Sequence, residues 1–267
     1  MGISIAFVSI KGGVGKTTLA LETASALAND FNKKVLLVDA NFSAPNIGLY
    51  LDMKKDFTLH HVLNGEEGLH AAIYEAFGMD IVPASMYFND AVDPFKLKKV
   101  LDKHKHRYDF IIIDSSPHHS EMLPAIIAAD KIFVVTTPDR VTLHTSVKAA
   151  MLAKKNKANI EGVIINKIRD SKYEIDLKEI ESLMDLPVVA RVKDHKKLLE
   201  AGFHKIPITV YDSLNEISRE VKHLAGAIAG EKEVRSLFDR IFRKNHWGRE
   251  MVNREFMRKN FYEPQIG

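Results

Sequence analysis

The 267 residues are 46% apolar and 27% charged, which suits a globular chain with a sizeable core, built as one large α/β domain or as a domain with a tail. Cysteine is absent, which excludes disulfides, iron–sulfur clusters and thiolate metal sites. No run of about eighteen apolar residues occurs and no basic segment precedes the first apolar one, so the expected location is the cytoplasm. The net charge of +3 is lopsided: residues 231–267 hold nine Lys/Arg against six Asp/Glu, leaving 29 of each sign in residues 1–230, so the surplus lies where an anionic partner would meet the C-terminal stretch.

Short apolar runs alternate with helical patterns. Strands are expected at 3–9, 34–39, 79–83, 109–114, 131–137, 162–166, 187–190 and 208–211. Several are unbroken Val/Ile/Leu runs, as strands covered on both faces require. Helical patterns such as 18–30 and 143–155 separate them. The alternation predicts a mostly parallel sheet of about seven or eight strands between two helical layers, a three-layer α/β sandwich. The domain is expected over 1–230, with a basic amphipathic tail over 231–267. Ligands of such sheets bind at the carboxyl ends of strands.

The first strand ends at Ser9 and runs into Lys11-Gly12-Gly13-Val14-Gly15-Lys16-Thr17-Thr18. Glycines let successive backbone N–H groups curl inward onto phosphate oxygens, and the helix that follows adds its positive N-terminal end. Lys16 is placed to reach the β- and γ-phosphates and Thr17 to ligate Mg²⁺, so the segment reads as a P-loop for Mg·ATP. Its first position is Ile10 rather than glycine, and Gly12 and Gly13 take over that role. Asp39 closes the buried run 35–38; a carboxylate there is costly unless it faces something such as a Mg²⁺ shell.

The loop resembles the deviant Walker A motif of the MinD/ParA ATPases, and the likeness extends over residues 1–230 in strand order and motif spacing. The resemblance implies that Lys11 reaches across an ATP-bound homodimer to the partner's nucleotide, much as an arginine finger would. Relatives read Asp-x-Asp where this chain has Asp39-Ala40-Asn41. Asn41 can hold the attacking water but cannot take its proton, which leaves slow or switch-like hydrolysis, ordinary hydrolysis and no hydrolysis all open, the first favoured. Asp114 ends a run similar to Walker B and is implied near Mg²⁺. His118 and His119 follow Pro117 where relatives continue with glycine, and they read as loop histidines rather than a metal site. Asn166 stands where the family reads adenine, and Asp194 stands in the place of its adenine loop. Asp139 and Arg140 lie on the same edge, either functional or simply starting a helix.

Val234, Leu237, Phe238, Ile241 and Phe242 draw one apolar helical stripe, and Trp247, Met251, Val252 and Phe256 continue the pattern among arginines. Such a segment suits an anionic membrane surface over 234–261, peripheral on the inner face of the cell membrane; a helix packed on the body or a protein partner, and a nucleic acid, are the alternatives. The expected function is a MinD-like dimerising switch ATPase in cell division or spatial positioning, answering to an unknown activator protein. A ParA-like ATPase that partitions DNA or cargo is the second reading, and the neutral charge of residues 1–230 weighs against it.

Overall fold

The unbroken apolar runs form the middle of an eight-stranded sheet in the computed structural model, which describes residues 1–87, 92–169, 172–231 and 250–262. The strands are β1 (Ile3–Val8), β2 (Val35–Ala40), β3 (Tyr74–Ala76), β4 (Met79–Val82), β5 (Phe110–Ser115), β6 (Lys131–Thr136), β7 (Ile160–Ile168) and β8 (Val188–Lys193). Their order across the sheet is β3-β4-β2-β5-β1-β6-β7-β8, and every pairing is parallel except β3 with β4. The α-helices are α1 (Lys16–Asn29), α2 (Ile47–Tyr50), α3 (Leu59–Asn64), α4 (Lys96–Asp102), α5 (His119–Ala128), α6 (Arg140–Lys155), α7 (Leu177–Met184), α8 (Lys196–Phe203), α9 (Ile208–Tyr211), α10 (Glu216–Ile228) and α11 (Glu250–Asn260).

Side chains of a strand alternate between faces, so one strand feeds two cores. Ile5 and Phe7 of β1 pack with α1, α2 and α8 to α11 on one side. Ala6 and Val8 pack with α3 to α7 on the other. The result is the expected three-layer sandwich, with β1 and its neighbours β5 and β6 at the centre of the sheet. Among the described residues, no helix is long and apolar enough to cross a membrane.

Two elements differ from the sequence reading. Residues 208–211 form the single turn α9, not a strand. Pro207 fixes the entry at φ −55, and the N–H groups of Ile208 and Thr209 donate to the buried Glu22 carboxylate at 2.8 and 3.0 Å. That carboxylate satisfies the helix N-terminus that a strand would not need satisfied. The short β3 is an addition, folded back on β4 through Phe77 (φ 51) and Gly78 (φ 73). A left-handed phenylalanine is not a hairpin signal that sequence would offer.

The C-terminal stretch is described in part. The apolar stripe from Val234 to Phe242, and Trp247, lie outside the described residues. Beyond them α11 packs on β8 and α10, with Met257 and Phe261 fully buried in the first core. Arg254 donates from Nε to the Val189 carbonyl at 2.9 Å and ion-pairs with Glu220. Of the 234–261 segment expected to face a membrane, these residues are committed to the body instead. Burying their apolar surface on the sheet edge removes it from any other surface. Phe256, on the outer side, is exposed.

Candidate nucleotide site

β1 stops in the centre of the sheet, where its two neighbours and their loops surround its end. The chain then turns through Gly13 (φ 79) and Gly15 (φ 93) before α1 starts at Lys16. A Cβ on Gly15 would lie 2.2 Å from Nδ2 of Asn166, so this position needs glycine for space as well as for backbone angle. The first N–H groups of α1 have no partner within the helix and face the cleft, an arrangement suited to anions. Lys16 is 6% exposed. Burial pulls its ammonium down to about 8, and only Asp114 opposes that shift. A buried cation held against one carboxylate is prepared for further negative charge.

Asp39 and Asp114 are register neighbours at the ends of β2 and β5, and both are fully buried. Thr17 donates from Oγ1 to Asp114 Oδ2 at 2.6 Å, while Asp114 Oδ1 is buried with no partner. Burial first, and then the charge of Asp39, pushes the Asp114 carboxyl up to about 8. Asp39 is raised to about 6 by burial, opposed by the backbone N–H groups of Ile47, Asn41 and Asn46. An orphaned carboxylate oxygen, a second carboxylate beside it and a threonine hydroxyl make a hard, all-oxygen donor set. Such a set fits Mg²⁺, whose charge would relieve the repulsion. Asp39 is also structural: Oδ2 accepts from the N–H groups of Asn46 and Ile47 at 3.0 Å each, holding the turn into α2. Asn41 follows it, 4% exposed, with Nδ2 donating to the Ala44 carbonyl at 2.6 Å and Oδ1 buried without a partner.

A cleft of about 640 Å³ opens over these groups. Its walls include Gly12, Gly13, Gly15, Lys16, Thr17 and Thr18 on one side, and Asn41, Asp194, His195 and Leu198 around them. The volume falls within the usual range for a small-molecule site. Val14 faces away, buried 2% exposed, and contributes its carbonyl, which accepts from Asn166 Nδ2 at 2.8 Å. Asn166 thus braces the phosphate loop and, at 3% exposed, is not itself part of the cleft wall. Asp194 lines the cleft while its Oδ2 accepts from Arg169 Nε at 2.8 Å.

Lys11 turns away from this cleft. Its Nζ donates to Thr142 Oγ1 at 2.8 Å and lies 4.0 Å from Asp139, at the start of α6. Asp139 is the helix cap, accepting from the Thr142 N–H at 2.9 Å, and Arg140 faces Glu179 at 3.8 Å. Both residues thus take part in starting α6. His118 occupies the N-cap position of α5 without a side-chain cap bond and His119 begins the helix instead of lying in the loop; among the described residues no cluster of metal-binding side chains forms around them.

Several contributors were not visible in the sequence. Lys55 opposes the raised carboxyl of Asp39 from a distance of sixteen residues in the chain. Ser43 donates from its N–H to Glu121 at 3.1 Å, tying the loop after β2 to the helix after β5. Neither pair has a motif; the register of β2 beside β5 brings Ser43 to Glu121, and Lys55 is held by the Ala84 carbonyl after β4 at 2.8 Å.

Fold and loop together define a P-loop nucleotide-binding protein. A family model described as an AAA domain matches residues 2–161. An uncharacterised ATP-binding protein of Methanocaldococcus jannaschii is 30% identical over 237 residues, 87% of this chain and 89% of its own. The septum site-determining protein MinD of Bacillus subtilis is 29% identical over 245 residues, 86% of this chain and 90% of its own. Among solved structures, the septum site-determining protein MinD of Pyrococcus horikoshii, complexed with Mg-ADP, matches with a TM-score of 0.79 at 30% identity, covering 85% of this chain and 96% of that one. The chain belongs to the MinD/ParA family of P-loop ATPases.

Proposed function

We propose that this chain is an ATP-driven dimerising switch of the MinD type, acting in cell division or spatial positioning. The observation that carries the reading is the placement of Lys11. Its ammonium rests on Thr142 at the rim, 42% exposed, rather than inside the cleft beside its own phosphate loop. A cation stationed there suits a phosphate chain presented by a second copy, so that nucleotide state and assembly state become one variable. ATP and Mg²⁺ occupy the cleft, with Lys16 on the phosphates, Thr17 and Asp114 on the metal and Asp39 in its outer shell. Hydrolysis is slow, because Asn41 orients water without accepting its proton.

The ATP dimer is read as binding a reversible partner, an anionic membrane surface, through the basic stretch ahead of α11. Doubling a weak anchor by dimerisation makes the attachment depend on nucleotide. Co-sedimentation tests this with the full chain, anionic or neutral vesicles, and plasmid, each in Mg·ATP and Mg·ADP. Pelleting with anionic vesicles in ATP alone is the expected result. Pelleting with plasmid and not with vesicles would replace it by the ParA-like reading.

A further inference from the structure

Seven non-glycine residues among those described have φ in the left-handed region. Six of them, Asn32, Asp52, Phe77, Lys157, Asp185 and Lys205, lie in turns and connecting loops, where one such residue is ordinary. Lys167, at φ 59, is the exception: it lies inside β7. There the pairing with β8 slips. Ile165 stands opposite Arg191 and Ile168 opposite Lys193, so three steps on β7 match two on β8. This is a bulge with its extra residue left-handed, a position that glycine fills without steric cost. A lysine keeps the strain, and such strain is concentrated at functional sites.

The location is specific. The residue before it, Asn166, braces the phosphate loop at Val14, while Lys167 itself is exposed. Lys167 borders the nucleotide cleft and also the smaller recess of about 300 Å³ on the other side of Gly12 and Gly13. Among the described residues, no carboxylate lies within ion-pair distance of it, whereas Arg169, two residues on, is engaged by Asp194 at 2.8 Å. The bulge therefore carries a cation with no ion-pair partner among the described residues to the edge of an anion-binding loop.

We propose that Lys167 is a nucleotide-binding residue whose ammonium contacts the phosphate chain, and that the β7 bulge serves to aim it there. The inference rests on the reading of the cleft as an ATP site. A purely structural bulge would be served as well by glycine. A charge-assisted contact to phosphate would not.

The test uses the full chain, calorimetric titration with Mg·ATP, Mg·ADP and adenosine, and thermal melting without nucleotide. Lys167→Gly is expected to melt at or above the wild-type temperature, because the strain is gone. It is expected to bind both phosphorylated nucleotides about tenfold more weakly, with adenosine binding unchanged. Lys167→Arg is expected to retain wild-type affinity. Lys167→Gln, which loses the charge and keeps the length, stands in if the glycine variant does not fold. Wild-type affinity in the uncharged variants overturns the proposal, and so does an equal loss for adenosine. A wild-type protein that binds neither nucleotide would instead overturn the ATP-site reading itself.

Discussion

In the proposed switch, Asn41 is the residue on which the rate of hydrolysis turns. Its Nδ2 donates to the Ala44 carbonyl, its backbone N–H donates to Asp39 at 3.2 Å, and its Oδ1 is buried without a partner. An acceptor oxygen so placed can hold a water but has no basicity with which to activate it. Asn41→Asp supplies the missing base in nearly the same volume. Single-turnover hydrolysis of bound ATP is expected to rise by about tenfold or more, a modest share of what a positioned base contributes. An unchanged rate would mean that Asn41 is not the brake. The neighbouring acids behave differently: Asp39 and Asp114 are placed by strand register at the cost of repulsion, a cost that a bound dication would remove.

At the scale of elements, α1 joins the phosphate loop to the far side of the cleft. It starts at Lys16 and, less than two turns later, presents Glu22 to the N-terminus of α9, with Thr209 Oγ1 adding a third hydrogen bond at 2.9 Å. Burial pushes the Glu22 carboxyl up to about 7, against the three hydrogen bonds that favour its charge. Because its folded value lies above the unfolded 4.5, its contribution to stability is present in full below that pH and is lost as pH rises through about 7. The loss is on the order of 3 kcal/mol. Wild type should therefore melt at falling temperatures from pH 4.5 to about 7, the window this shift defines. Glu22→Gln, which cannot titrate, should melt lower throughout and fall less steeply. Parallel melting curves against pH would exclude Glu22 as the source.

On the scale of the whole molecule, the C-terminal helix closes the sheet. β8 is an edge strand, and α11 covers it with Met257, Phe261 and the aliphatic part of Arg254. Arg254→Ala would take the side-chain donor from the Val189 carbonyl beneath the helix and remove the ion pair of Glu220, which keeps the Arg191 N–H at 2.8 Å. The expected cost is about 2–3 kcal/mol in urea unfolding, with faster proteolytic cutting ahead of α11. A change below about 0.5 kcal/mol would mean that the helix is not part of the folding unit.

Sequence by itself determined the three-layer sandwich, seven of the eight strands and the phosphate loop, because these depend on local patterns. Unbroken apolar runs demand burial on both faces, and a glycine-rich turn between strand and helix leaves few other uses. It also placed Asp39, Asp114 and Asn166 at strand ends, where parallel topology gathers ligand-binding groups, while Asp194 came only from the family resemblance. Tertiary structure decided what depends on partners far away in the chain. Residues 208–211 became a helix because Glu22, 186 residues from Ile208, satisfies its first N–H groups. Lys11 rests on Thr142 because β6 lies beside β1. The end of the expected tail became core, because an uncovered edge strand and an apolar helical face each lose free energy in water and regain it only against one another.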